Sequence, residues 1–337
     1  MRIFRLGYLL PALLAGASAQ APAQTSPSAP ASLNARLAGD IAQVHDPAII
    51  RQGDSWYLFT TSQAGAGKGL IHIRTSTDLA KWTRAAPVFA EMPVWVKDAV
   101  PGAAGIWAPD VHFAGGEYRI YYSVSTFGKN RSAIGLVTTP SLDNPVWTDK
   151  GPVLRSSQKD DFNAIDPNVF DDAQGRQWLA FGSFWSGLKL VRLDPKTGLR
   201  SAEDTKVHAI ARRPSPGAIE APFVIRRGDF YYLFASFDFC CRRAASTYYT
   251  MVGRSKDPTG PYLDLKGKSM MDGGGLLVLH AELDRSKRFV GPGHVAILRE
   301  AKQDYIVYHA YDTQRSGVPT LRIQPLGWTD DGWPVAL

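Results

Sequence analysis

A short proline-containing segment recurs five times along the chain, each followed roughly ten to fifteen residues later by a run of β-branched and aromatic residues. The segments are His45-Asp46-Pro47, Trp107-Ala108-Pro109-Asp110, Ile165-Asp166-Pro167, Glu220-Ala221-Pro222 and Gly291-Pro292-Gly293-His294. The runs are 56–59, 118–122, 177–181, 230–234 and 305–308. Successive prolines stand 55 to 70 residues apart. Three repeats share a finer register. Six residues after Pro47, Pro109 and Pro222 come Gly53, Gly115 and Gly228; nine after come Trp56, Tyr118 and Tyr231; twelve after come Phe59, Tyr121 and Phe234.

Helical periodicity is nearly absent, and Gly, Asp and Asn punctuate the runs, which is an all-β pattern. A period near sixty residues holding several strands fits a four-stranded propeller blade. Five periods predict a five-bladed β-propeller. A hairpin in each blade is expected to join an innermost strand, starting near the proline, to the next strand. The innermost strands surround the axis, so residues at one repeat position should converge. Those residues are Asp46, Asp110, Asp166, Glu220 and His294. Repetition alone does not demand acids there. Clustered carboxylates are costly and raise one another's pKa, so a ring of them at an axis reads as a site.

The residues point to acid–base cleavage of a glycosidic bond. That reaction needs a protonated carboxyl for the leaving oxygen and an ionised one to activate water or attack directly. Asp46 and Glu220, on different blades, can flank a sugar. Asp166 can keep the proton donor protonated by like-charge repulsion and hold it in place. An Asp-Pro pair standing alone is most often a turn or strand start; three acids in register across blades favour function. Asp110, one residue after its proline, reads as structural.

The motifs resemble glycoside hydrolase family 43, and within it the endo-α-1,5-L-arabinanases. The resemblance runs from about Gln43 to the end. It rests on Val44-His45-Asp46-Pro47, Ile106-Trp107-Ala108-Pro109-Asp110, the segment 121–128, Asn163-Ala164-Ile165-Asp166-Pro167-Asn168, the segment 181–187, Ala218-Ile219-Glu220-Ala221-Pro222, Cys240-Cys241, Gly291-Pro292-Gly293-His294 and Tyr308-His309-Ala310-Tyr311-Asp312. The resemblance implies a five-bladed propeller that inverts anomeric configuration. It implies Asp46 as base, Glu220 as acid and Asp166 as the orienting, pKa-modulating acid. Substrate contacts are implied at Asp46, Asn163, Ala164, Ile165, Asp166, Ser183, Phe184 and Trp185, with Trp107 and Gly128 near the cleft. Aromatic faces suit sugar C–H faces, and a glycine lets a ring approach the backbone. His294 resembles the axial histidine that holds a hydrated calcium ion (Ca2+) in the channel of arabinanases. The implied substrate is arabinan, a polysaccharide borne as side chains on pectin.

The N-terminus sets the expected compartment. Arg2 and Arg5 precede an apolar stretch, 6–14, and a small-residue ending, Ala17-Ser18-Ala19. That order predicts a signal peptide over 1–19. The stretch is too short to span a bilayer, so the mature protein is expected to be secreted, extracellular or periplasmic, with no membrane association. Residues 20–32 are Ala, Pro, Ser, Thr and Gln in the main and read as a disordered leader; the propeller is expected over 33–337. The two cysteines are adjacent, which rules out a loop-closing framework within the chain but allows a bond between neighbours. The net charge of +7 is scattered. It fits a solvated surface or weak attraction to acidic cell-wall material, not nucleic acid. A monomer is expected.

Two other readings stand beside this one. An exo-acting α-L-arabinofuranosidase or β-xylosidase of the same family uses the same three acids, with loops closing one end of the cleft. A non-catalytic sugar-binding propeller is expected to lack one of the acids, and none is lacking.

Overall fold

The computed structural model describes residues 32–62 and 68–337. The expected signal peptide and all of the expected leader except Ser32 lie outside them. Ser32 belongs to the folded unit: its side chain accepts from the Ala35 amide and caps the short helix Leu33–Arg36.

Five four-stranded antiparallel sheets follow in sequence order, each built of consecutive strands. The first blade is Ala48–Gln52, Ser55–Thr60, His72–Ser76 and Lys81–Arg84; a two-residue strand, Ala38–Gly39, adds in parallel to its outer edge. The innermost strands of the others are Trp107–Ala114, Asn168–Asp171, Ile219–Arg227 and Phe289–Arg299. Each inner strand contacts the next, and the fifth returns to the first, closing the ring. The chain is therefore a five-bladed β-propeller.

The aromatic runs explain the packing. Successive side chains on a strand point to opposite faces. Tyr57 and Phe59 enter the core between the first and second blades, while Leu58 between them enters the core shared with the fifth. Tyr231 and Leu233 face the third blade, and Tyr232 and Phe234 face the fifth. A strand sandwiched on both faces is apolar without alternation, which is why these runs are nearly continuous. Gly53, Gly115 and Gly228 turn the inner hairpins with φ of 56°, 61° and 58°, the left-handed region glycine enters without a Cβ penalty.

The entering segment ties the last blade to the first. Asn34 bonds the Gln324 side chain and the Ile323 amide, the Leu321 amide donates to the Ile41 carbonyl, and the Val44 amide donates to the Pro319 carbonyl. Among the described residues, no helix is long and apolar enough to cross a membrane.

Candidate active site

One backbone feature builds the site. At the start of each blade a non-glycine residue has positive φ: Asp46 (52°), Ala108 (37°), Asp166 (57°), Ala221 (56°) and His294 (50°). Such conformations cost about 1–3 kcal/mol each and persist where the surroundings enforce them. Here all five amides are received by side chains from the preceding blade. Thr61 accepts from Ala108, Ser123 from Asp166, Ser236 from His294, and His309 Nδ1 from Asp46. Ala221 donates to Asp166 Oδ2.

This register corrects the one read from the prolines. The equivalent residues are Asp46, Ala108, Asp166, Ala221 and His294; Glu220 stands one residue earlier and Asp110 two later. In the fifth blade Val295, not Pro292, occupies the place of the other prolines. Asp110 is buried, accepting from the Val169 amide and the Asn168 side chain. It joins the second blade to the third. Burial pushes it up to about 6 against those hydrogen bonds and the charge of His112.

Asp46 is held as an anion. Oδ1 faces His45 Nδ1 at 2.8 Å and His294 Nδ1 at 3.0 Å, and Thr61 donates to Oδ2 at 2.5 Å. Burial opposes ionisation, but His45 and His294 outweigh it and hold the carboxyl well below its ordinary range. His309 is driven well below its ordinary range, first of all by burial. It stays neutral and accepts the Asp46 amide. Its ring stacks on His45 at 3.8 Å between centroids.

Glu220 sits in a different environment. Ser183 donates to Oε2 at 2.6 Å and Tyr248 to Oε1 at 2.7 Å. Tyr248 is buried, and burial together with the charges of Glu220, Asp166 and Asp46 raises its pKa well above the ordinary value, so it remains a donor. Asp166 is pushed well up, first by burial and then, against the charge of His294, by the charges of Glu220 and Asp46. The sequence reading places the retained proton of this pair on Glu220. At Asp166, which accepts a single amide, burial first of all favours the protonated form as well.

The expected substrate contacts divide. Trp185 is 42% exposed, Phe184 is half-buried, and the two occupy consecutive left-handed positions. Trp107 is partly exposed on the second inner strand. Ser183 is committed to Glu220. Asn163 accepts from Ser132 and orders its segment; Ile165 is buried, its carbonyl accepting from the Gly182 amide. Ala164 is a correction: it has no exposed surface and packs between the second and third blades. At Gly128, whose φ is 74°, a Cβ would meet nothing within 4 Å, which leaves the backbone open on that side. Tyr248, Tyr311, His309 and Thr61 had no assigned part in the sequence reading. His309 and Tyr311 lie within the motif 308–312; a latching hydroxyl at Thr61 or a lone Tyr248 carries no local signal.

The axial histidine can be tested as a metal ligand. With Nδ1 on Asp46, His294 makes no side-chain hydrogen bond through Nε2 among the described residues. Among the described residues, the donor clusters tight enough to cage an ion are His45–Asp46–His309 and His45–Cys240–Cys241, and neither contains His294. One nitrogen ringed by three carboxyls fits a hydrated cation whose own waters complete an oxygen shell. Without a cation, burial opposes protonation of His294. The charge and hydrogen bond of Asp46, then the charges of Asp166 and Glu220, prevail and push it up to about 9.

A family model described as glycosyl hydrolases family 43 matches residues 41–334. The chain is 44% identical over 326 residues to the extracellular exo-α-(1→5)-L-arabinofuranosidase ArbA of Cellvibrio japonicus, covering 91% of this chain and 90% of that protein. It is 43% identical over 293 residues to the extracellular endo-α-(1→5)-L-arabinanase 1 of Bacillus subtilis, covering 86% and 87%. The solved family 43 endo-arabinanase of Bacillus licheniformis superposes with a TM-score of 0.82 at 43% identity, over 89% of this chain and 99% of that one.

Proposed function

The chain belongs to glycosyl hydrolases family 43 and is a glycoside hydrolase, and from that premise we propose that it is a secreted enzyme hydrolysing α-1,5-linked L-arabinan with inversion. The observation that carries the reading is the unlike treatment of two buried carboxyls on separate blades. Asp46 is locked as an anion by histidines, and Glu220 sits among hydroxyls beside a carboxyl that retains a proton. Environments that push titratable groups apart assign base and acid.

The two carboxyls then work in one displacement. Asp46 takes a proton from a water that attacks the anomeric carbon. Glu220 delivers a proton to the departing oxygen. Thr61 and the two histidines keep Asp46 from rotating, while Ser183 and Tyr248 do the same for Glu220. Asp166, adjoining Glu220 through the Ala221 amide, is the local proton reservoir. Trp185 and Phe184 offer ring faces to the sugars. A calcium ion at His294 Nε2 would supply positive charge to the axis and displace the proton there; metal analysis of the purified protein tests it.

Internal cleavage is the mode carried from the sequence. Exo cleavage is the second reading, favoured by the likeness to the Cellvibrio enzyme. Linear debranched arabinan, with xylan as control, decides by product size over time. Early medium-length oligomers establish internal cutting, a single short product establishes exo cutting, and release from xylan alone overturns the substrate.

A further inference from the structure

The hydrogen bonds beyond the base run in one direction. The amide of Cys241 donates to Tyr311 Oη at 2.8 Å. Tyr311 Oη and His45 Nε2 are 2.8 Å apart, and Nδ1 of the same ring faces Asp46 Oδ1 at 2.8 Å. An amide N–H can only donate. The phenol oxygen can accept a second hydrogen as well, so the direction is set at the other end. The ionised Asp46 only accepts, His45 Nδ1 carries the proton towards it, and Nε2 of the neutral imidazole accepts from Tyr311. Burial first of all keeps the Tyr311 phenol protonated far above the ordinary tyrosine range.

The source of that amide is unusual. Cys240 and Cys241 are neighbours in sequence and are joined through their sulfurs. A disulfide stabilises a chain mainly by closing a loop, and this one encloses no intervening residue. Its effect is local. It makes a small ring that contains the 240–241 peptide bond, and the N–H received by Tyr311 belongs to that bond. Cys241 holds a φ of 65°, a region rare for a residue with a Cβ. Its sulfur also stands 3.9 Å from His45 Nε2.

We propose that Tyr311 is a positioning residue for the base, fixing His45 in the tautomer that donates to Asp46, and that the Cys240–Cys241 ring in turn fixes Tyr311. The proposal deepens the reading of Asp46 as base and rests on it. The ring is thereby a specific support of the site, since it shares an amide with a chain of three side chains ending on the reacting carboxylate.

The test compares the full-length wild type and Tyr311→Phe, each oxidised and reduced. Dithiothreitol supplies two electrons and two protons, leaving two thiols on the protein and itself as a cyclic disulfide. Thermal melts confirm that all four samples are folded; Tyr311→Phe keeps the ring that packs edge-on against His45 and His309. On linear arabinan, Tyr311→Phe should lower kcat about tenfold with KM within about twofold. Reduction should lower wild-type kcat severalfold and leave Tyr311→Phe unaltered, because the link is already cut. In oxidised protein with labelled histidine nitrogens, NMR should show His45 protonated on Nδ1 in the wild type and mixed tautomers in the variant. Unchanged kcat in Tyr311→Phe, equal slowing of both proteins by reduction, or identical His45 nitrogen shifts overturns the proposal. A wild type inert on arabinan would refute the substrate reading instead, while the nitrogen shifts would still decide the role of Tyr311.

Discussion

Tyr248 donates to Glu220 Oε1 at 2.7 Å, and its ring is stacked 6.1 Å from His309, which is stacked in turn 3.8 Å from His45. Three rings thus form a column with a carboxyl at each end, Glu220 bonded to the tyrosine and Asp46 to the histidine. Rings cannot shorten or bend, so the column fixes acid and base against each other more firmly than flexible side chains would.

Tyr248→Phe keeps the column and removes one donor. Hydrogen bonds to charged groups are worth about 1.5–3 kcal/mol, so kcat should fall roughly ten- to a hundredfold with little change in KM. Steady-state kinetics on linear arabinan check it. Wild-type kcat in this variant would leave Tyr248 as packing only.

Glu220→Gln removes the proton donor. Turnover of arabinan should drop by about 10²–10⁴, while calorimetric affinity for an arabino-oligosaccharide stays within severalfold. A loss of binding equal to the loss of rate would make Glu220 a substrate anchor and not the acid.

Asp46→Asn should be inactive by a similar factor, since no carboxylate remains to activate water. In the wild type, proton NMR at early times should show the product with inverted anomeric configuration. Inversion goes with carboxyls about 6.5–9.5 Å apart. A retained configuration would require a covalent intermediate on Asp46.

Asp166→Asn deletes the second site of a shared proton. The alkaline limb of the rate profile should move to lower pH, because the remaining carboxyl no longer has a charged neighbour. A folded variant with an unmoved limb would make Asp166 a strand-start residue held by Ser123 and nothing more.

Asp40 sets a separate, structural prediction. Its carboxylate meets Arg84 at 2.6 Å and the fully buried Arg74 at 3.3 Å. Burial opposes its ionisation, yet the two guanidiniums prevail and lower its pKa. A folded value below the unfolded one gives stabilisation that is complete above about pH 4 and disappears as the pH falls through the folded value. Asp40→Asn should cost about 2 kcal/mol near neutral pH and flatten the acid side of the melting-temperature curve. An unchanged curve would remove Asp40 from the account.

The blades and the three acids were legible in the sequence because both follow from spacing. A period near sixty and aromatic runs report sheets buried on both faces, and Asp46, Asp166 and Glu220 recur beside the prolines. The register was off by a residue or two at Glu220 and Asp110, and by three at the fifth proline. A proline marks the strand start, whereas the left-handed residue that turns a side chain to the axis has no amino-acid type of its own; here it is Asp, Ala or His. Ala164 was misread for a related reason, since burial is not visible in a motif. Thr61 and Tyr248 escaped assignment because a hydroxyl that reaches across to a carboxyl of its own blade carries no local signal. His309 and Tyr311 escaped because each acts across a blade boundary on a partner more than 260 residues away.

That distance has a consequence for biosynthesis. The amide of Asp46 is received by His309, 263 residues further along, and His45 by Tyr311, 266 residues beyond it. Both partners lie on Asp304–Asp312 of the last sheet. A nascent chain can complete four blades and still hold an unsupported base. Competence should therefore appear late and all at once, as the C-terminal strands dock, so that the onset of turnover during refolding times the final topological event.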